Sequence, residues 1–121
     1  MAAQYGIELP ATTSAPGRAR AFVRDHWSHL VAPDVLEAVD LCVSELVTNA
    51  LDHARPPYRL RLSAPEHSLR IEVDDASVAQ PVVQAGEPSD ARGRGMFLVD
   101  RLAAAWGVVG SASGKTVWAE F

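Results

Sequence analysis

Residues 40–54 read DLCVSELVTNALDHA, and their periodicity predicts a long helix that carries one polar stripe. Apolar residues recur at helical spacing, while Glu45, Asn49 and His53 stand four residues apart. Because positions four apart lie on one helical face, one turn above another, a carboxylate, an amide and an imidazole share this face. A carboxylate can activate a hydroxyl or a water, and an amide oxygen suits Mg²⁺. The stripe therefore offers groups that phosphoryl transfer from a nucleotide requires.

A second interpretation of this polar stripe is the solvated face of an amphipathic helix, which is the commonest reason for such a spacing. One observation favours a site. Glu45 and Asn49 are interleaved with apolar residues at positions 46, 47, 50 and 51. We therefore expect these two side chains at the edge of a pocket and not in open water.

The composition is that of one ordinary globular domain, residues 1–121, with 48% hydrophobic residues. The net charge of −4 and the absence of a basic block disfavour nucleic acid and anionic membrane as partners. The single cysteine, Cys42, excludes a disulfide within the chain and a thiolate metal cluster, and we expect it to be a buried thiol. Neither a secretory leader nor an apolar run of about 18 residues is present, so we expect a soluble, cytoplasmic protein.

The periodicities along the chain predict three helices and a sheet in two layers. The helices are expected from Ser14 as a cap, over 34–54 with Asp34 as the cap, and over 96–105. The buried side of the first helix is predicted to hold Ala19, Phe22, Val23, His26, Trp27 and Leu30. Strands are predicted at 5–9, 58–62, 69–73, 106–109 and 116–121, with a long irregular segment at 74–92. The fold class is therefore α+β, a mixed, mostly antiparallel sheet covered on one face by about three helices.

Two further segments are candidates for ligand contact. Asp74 and Asp75 follow a predicted strand, and a carboxylate there can accept a hydrogen bond from the amino group of adenine, although Asp is also common in turns. The sequence GRG at 93–95 precedes a predicted helix, where glycine permits close approach and free amides attract phosphate. A GxG is equally typical of an ordinary hinge. The GKT at 114–116 precedes a strand, which disfavours a P-loop.

Taken together, the order Glu-x-x-x-Asn on a helix, a strand-end Asp, a long loop and Gly-x-Gly resembles the GHKL ATPase superfamily. That superfamily includes gyrase, histidine kinases and bacterial anti-sigma-factor serine kinases. The resemblance covers about residues 9–121 and is closest to the small anti-sigma-factor serine/threonine kinase branch. The segments that carry it are SELVTNA at 44–50, GRGMFLV at 93–99, Trp106-Gly107 and GKTVW at 114–118. It implies a two-layer α/β sandwich of the GHKL ATP-binding type.

The resemblance also implies roles for individual residues. Asn49 would hold Mg²⁺ against the nucleotide phosphates, and Glu45 would be the general base for the attacking hydroxyl. Asp75 would accept a hydrogen bond from the adenine amino group, with Thr116 nearby in support. The remaining ATP-binding positions would be His53 at the rim, Ser77, Gly93, Arg94, Gly95 and Met96. Residues 78–92 would form a lid.

The chain departs from the family pattern at the box Asp-x-Gly-x-Gly, which reads DASVA at 75–79 and lacks both glycines. Either Asp74 or Asp75 can match the family aspartate. We choose Asp75 because Ser77, a small residue, then takes the place of the first glycine.

The resemblance implies an ATP- and Mg²⁺-binding regulatory protein that phosphorylates a serine or threonine of an antagonist. Its partners would be a sigma factor and an anti-anti-sigma-type antagonist protein, with no direct contact to nucleic acid or membrane, and related small kinases commonly form homodimers. The altered box favours a different function, a binding module that sequesters a sigma factor or another protein without phosphoryl transfer. A stand-alone ATP hydrolase is disfavoured, because no second domain is present to use the energy.

Overall fold

The computed structural model describes residues 4–77 and 91–121, with the backbone alone at 91–95. The elements follow one another as β1 (Gln4–Leu9), α1 (Ala15–Trp27), α2 (Pro33–His53), β2 (Tyr58–Ser63), β3 (Arg70–Asp75), α3 (Ala91–Leu102), β4 (Ala105–Ser111) and β5 (Gly114–Glu120).

The strands form one sheet in the order β1-β2-β3-β5-β4, and every neighbouring pair within it is antiparallel. The described helices form the second layer, in which α2 packs against both α1 and α3 and also contacts β3. The predicted α+β fold class, with its two layers, is therefore confirmed.

Strand β3 shows how the sheet divides into two faces. Ile71, Val73 and Asp75 are buried, whereas the alternate residues Arg70, Glu72 and Asp74 are partly exposed. Since successive side chains of a strand point to opposite faces, the first set lies under the helices and the second on the outer face of the sheet. Asp75 is the one charged residue in the inner row of this strand.

The hydrophobic core lies between the layers. Its largest fully buried side chains come from the three described helices and from strands β2 and β3, and they include Trp27, Val43, Leu60, Leu62, Ile71 and Met96. Burial of each large apolar side chain contributes about 1.5–3 kcal/mol to stability. The core therefore fixes α2 and α3 over the sheet and holds the polar stripe in place.

Helix α1 buries Ala19, Val23 and Trp27, as predicted, and half-buries Phe22 and His26. The imidazole of His26 stacks on Tyr5 of β1 with ring centroids 3.9 Å apart. The prediction for Leu30 was wrong, because α1 ends at Trp27 and leaves Leu30 63% exposed.

The N-cap of helix α2 lies two residues earlier than predicted. Pro33 is its first residue and Ala32, in an extended conformation, is its N-cap, so Asp34 lies in the first turn and does not cap the helix. Proline suits this position because its fixed φ matches the helix and its missing N–H would have no helical partner. Asp34 still stabilises the helix through its negative charge near the N-terminus.

Two other boundaries differ from the predictions at the candidate site. Asp74 and Asp75 belong to β3, because β5 pairs with them through Thr116 and Lys115 and so extends the strand. Helix α3 begins at Ala91 and ends at Leu102, so the GRG at 93–95 lies within its first turns and not in a hinge before it. Packing against α2 compensates for the low helix propensity of glycine. The greater part of the predicted lid, residues 78–90, lies outside the described residues.

Candidate functional site

The polar stripe lies on α2, and its burial changes along the helix. Glu45 and Asn49 are half-buried, while His53 at the end of the helix is exposed. Within residues 4–77 and 91–121, neither Glu45 nor Asn49 has a side-chain hydrogen bond or ion pair. A half-buried carboxylate and amide one turn apart, each without a protein partner, are therefore available to a ligand.

The buried face of α2 borders the stripe and explains why Glu45 and Asn49 are only half-buried. Val39, Val43, Leu46 and Ala50 are buried at helical spacing, so the helix can turn only its other faces away from the core. Cys42 lies in this core, where burial, and then the negative charge of Glu45, raise the pKa of its thiol to about 12. The expected buried thiol is confirmed.

Polar contacts from α1 fix the rotation of α2. Arg20 donates a hydrogen bond to the Ser44 hydroxyl at 2.8 Å, and that hydroxyl donates to the backbone carbonyl of Asp40 at 2.8 Å. Arg24 forms an ion pair with the Asp40 carboxylate at 2.8 Å. Because these contacts are made by Asp40 and by Ser44, the residue directly before Glu45, they hold the polar stripe at a defined angle to the sheet.

The strand-end carboxylate of Asp75 is already occupied. Its Oδ2 lies 2.8 Å from the ammonium nitrogen of Lys115, its register partner on β5, and its Oδ1 accepts a hydrogen bond from the Ser77 backbone at 2.7 Å. The side chains of Lys115 and Asp75 are only 6% and 1% exposed. The position predicted to read adenine is therefore a buried ion pair.

Close backbone contacts hold this strand end in place. The backbone N–H of Ala76 donates to the Arg55 carbonyl at 2.9 Å, which ties the end of β3 to the segment just after α2 and His53. A Cβ added to Gly114 would lie 2.1 Å from the Asp75 carbonyl oxygen, so β5 must begin with glycine to approach so closely. Burial, and then the charge of Asp75, raise the pKa of the Tyr58 hydroxyl, which donates to the Ala54 carbonyl at 3.0 Å.

Thr116 does not support Asp75, contrary to the prediction. Its hydroxyl donates a 2.5 Å hydrogen bond to Asp74, on the outer face of the sheet, where Arg61 also binds Asp74 through Nε and Nη2 at 2.8 and 2.9 Å. Burial tends to raise the pKa of Asp74, but the hydrogen bonds from Arg61 and Thr116 and the charges of Arg61 and Arg59 outweigh it and lower that pKa. Of the two aspartates, Asp75 is the one on the helix-covered face, as the choice from sequence requires.

The remaining predicted positions divide between two environments. Ser77 is buried beside Asp75, and Met96 is fully buried in the hydrophobic core, so the ligand contacts expected of both stay predictions. The backbone of Gly93, Arg94 and Gly95 lies in the first turns of α3, the helix that packs on α2. The phosphate-flanking role of these three residues remains a prediction.

Lys115 is the residue that the sequence reasoning did not identify. It is the only lysine of the chain, and it sits at an inward position of an alternating strand. The signal was present but incomplete, because the register of β5 against β3 is needed to show that Lys115 faces Asp75.

No preformed metal cage is found in the part of the chain that the structure describes, where no three His, Cys, Asp or Glu side chains cluster. A Mg²⁺ ion held by Asn49 would therefore take its other ligands from phosphate and water, as this ion commonly does. None of the described helices has both the length and the apolar character to cross a bilayer.

Three helices on one face of an antiparallel sheet, with a ligand-accessible polar stripe on the middle helix, define a nucleotide-binding domain of the histidine-kinase type among the described residues. The chain belongs to the histidine kinase-like ATPase domain family, whose sequence pattern matches residues 9–121. Membership of an ATPase family implies ATP binding, generally with Mg²⁺. No curated protein matches the sequence closely enough to count as a relative.

Solved structures support the same fold. The RsbU and RsbW domains of Rv1364c from Mycobacterium tuberculosis align over 98% of this chain with a TM-score of 0.71 and 18% identity. The histidine kinase domain of the Erythrobacter litoralis blue-light activated histidine kinase aligns over 89% of this chain with a TM-score of 0.60 and 23% identity. This chain covers 31% of the first of those chains and 63% of the second.

The described residues fit ATP at one end of the site and not at the other. Glu45 and Asn49 bear oxygens, are half-buried and have no partner among the described residues, which suits a phosphate-bound Mg²⁺. Asp75 is 1% exposed and already accepts hydrogen bonds at both oxygens, so it offers no free surface to an adenine amino group in this arrangement.

Proposed function

We propose that this chain is an ATP- and Mg²⁺-dependent regulatory kinase of the anti-sigma-factor type, which phosphorylates a serine or threonine of an antagonist protein. The observation that carries the proposal is the pair Glu45 and Asn49, half-buried and without a protein partner in the described part of the chain. Their polar atoms are not sealed inside the protein, so a half-buried carboxylate and amide that no described residue uses can both be reached by a ligand.

The two residues would divide the work of phosphoryl transfer. Bound ATP would supply the transferable γ-phosphoryl group. The Asn49 amide oxygen would ligate Mg²⁺, and Glu45, one turn earlier, would accept the proton of the attacking hydroxyl. Positioning and charge neutralisation supply most of the catalysis in such transfers, which leaves a modest role for the base.

Phosphorylation of an antagonist would change its binding to this chain. A phosphoserine adds nearly two negative charges, which disrupt a fitted interface by repulsion and desolvation. The antagonist would then release, and a sigma factor would take its place. The fold of the RsbW-containing neighbour supports this assignment at the level of architecture alone.

The test uses Glu45→Gln, with Glu37→Gln as a matched control because Glu37 is an exposed glutamate on the same helix. A purified anti-anti-sigma-type protein is incubated with this chain and γ-³²P-labelled Mg-ATP. We expect Glu45→Gln to slow labelling by about 10²-fold or more while calorimetry still detects nucleotide binding, and Glu37→Gln to leave both unchanged. Labelling that persists at the wild-type rate in Glu45→Gln would remove the proposed base.

A second function, sequestration of a protein partner without nucleotide chemistry, is favoured by the buried pair of Asp75 and Lys115. It requires the fold and a docking surface but no free base-reading carboxylate. Calorimetric titration with Mg-ATP separates the two functions. Binding that depends on Asn49 favours the kinase, and the absence of any binding at millimolar nucleotide leaves the binding module.

A further inference from the structure

The inner row of the β3–β5 ladder contains one ion pair among apolar pairs. Ile71 faces Ala119, and Val73 faces Val117, whereas the next inner pair is Asp75 and Lys115. A buried ion pair is often no more stable than apolar residues of similar volume. Stability alone therefore does not account for a carboxylate and an ammonium at the end of this row, beside the segment that follows α2.

The geometry of the pair resembles a carboxylate with its ligand bound. The Lys115 ammonium places an N–H donor 2.8 Å from Asp75 Oδ2, and an exocyclic amino group of a purine would offer the same kind of donor to the same oxygen. The two donors compete for one position. Lys115 has a flexible four-carbon stem, and rotation about its side-chain bonds is the route by which its ammonium would leave Asp75.

We propose that Lys115 is an internal occupant of the base-recognition position, so that adenine nucleotide binds only when the Lys115 ammonium leaves Asp75. The contact is autoinhibitory. It lowers nucleotide affinity, and a change that draws Lys115 away from Asp75 opens the position. This inference depends on the proposed function in one respect, the assignment of Asp75 as the carboxylate that receives adenine.

Removing the lysine amine should raise nucleotide affinity. The Met side chain of Lys115→Met has a similar length but no cation to compete for Asp75, so the Asp75 carboxylate lacks a hydrogen-bond donor at Oδ2. The adenine amino group would then form a hydrogen bond with the charged Asp75 carboxylate, so we expect the dissociation constant for Mg-ATP to fall about tenfold or more. Lys115→Arg keeps a cation and should show no gain. Arg70→Met removes a cation from the same two-strand ladder on the outer face, and should also show none.

A second measurement uses the wild-type protein and so does not depend on how a variant folds. Lys115 is the only lysine, so reductive methylation followed by peptide mass spectrometry reports on its amine alone once the chain's α-amine is resolved. With a side chain 6% exposed, Lys115 should react slowly in the free protein. Saturating Mg-ATP should accelerate methylation several-fold, because the displaced ammonium enters solvent. Mg-GTP, whose base offers a carbonyl at the corresponding position, should have a smaller effect.

The outcomes separate this inference from the proposed function. Nucleotide binding in the wild type with unchanged or slower methylation of Lys115 overturns the inference and leaves the kinase proposal standing. If Lys115→Met binds Mg-ATP more tightly than the wild type and the further change Asn49→Ala abolishes that gain, the result supports both the inference about Lys115 and the kinase proposal. If neither the wild type nor folded Lys115→Met binds Mg-ATP, both are overturned and the binding module remains.

Discussion

The buried pair of Asp75 and Lys115 makes a quantitative prediction about stability. Lys115→Met leaves a carboxylate that is 1% exposed without its cation, and Asp75→Leu leaves an ammonium that is 6% exposed without its anion. Breaking a buried pair from one side costs about 3–5 kcal/mol. We therefore expect each single variant to lose about that much stability and the double variant to lie near the wild type.

The magnitude follows from two opposing terms. Charges 2.8 Å apart attract each other by about 6 kcal/mol at an effective dielectric constant of about 20. Removal of the two ions from water costs several kcal/mol for each of them, so the intact pair contributes little net stability. A variant with one ion keeps its desolvation cost and loses the attraction. A variant with neither loses both, which is why the double change is expected to be nearly neutral.

The assay is urea unfolding followed by circular dichroism for the wild type, both single variants and the double variant. Arg70 and Glu120 supply a matched control, because they are register partners on the same two strands and also lie 2.8 Å apart, but their side chains are 25% and 30% exposed. Two single losses of about 3–5 kcal/mol each and a nearly neutral double variant give a coupling energy of about 6 kcal/mol or more for the buried pair, whereas we expect below about 1 kcal/mol for the outer pair. Additive losses at Asp75 and Lys115 would refute the reasoning.

Two further predictions concern titratable groups. Burial and the charge of Glu45 raise the pKa of the Cys42 thiol to about 12. A disulfide reagent at mildly alkaline pH should therefore leave the native protein unmodified and react fully with the protein in denaturant. Rapid reaction of the thiol in the native protein would contradict this prediction. Asp74 has a pKa below its usual value, so its contribution is present above the unfolded-state pKa and is lost as pH falls through the folded-state pKa. Asp74→Asn should therefore be less stable than the wild type at neutral pH and match it in strong acid, as measured by urea unfolding over a pH series. A stability difference that stays constant down to strong acid would show that the contacts of the Asp74 carboxylate with Arg61 and Thr116 are not the cause of the difference.

The layers of the fold could be predicted because local periodicity records burial. The apolar positions of α2 repeat at helical spacing, and the buried positions of β2 alternate with partly exposed ones. Each pattern needs only a few neighbouring residues to be recognised. The half-buried state of Glu45 and Asn49 belongs to the same class of prediction, since one helix fixes which neighbours they have.

Element ends were predicted less well, because they depend on contacts distant in sequence. Strand β3 continues through Asp75 only because β5 offers hydrogen-bonding partners there, and α3 accommodates Gly93 and Gly95 because it packs on α2. Leu30 is exposed for a related reason. The apolar period of α1 continues past Trp27, but the helix itself does not.

The two halves of the candidate site differ in the same way. Glu45 and Asn49 come from one helix, so their spacing alone places them together. Asp75 and Lys115 are separated by 40 positions, and whether Lys115 or Thr116 faces Asp75 depends on the register of two strands. A shift of one residue exchanges the faces, so the identity of the residue beside Asp75 is a property of the folded sheet. It follows that a change on β5 can alter access to the proposed base position while Glu45 and Asn49, the groups on α2 proposed to face the phosphates, stay as they are.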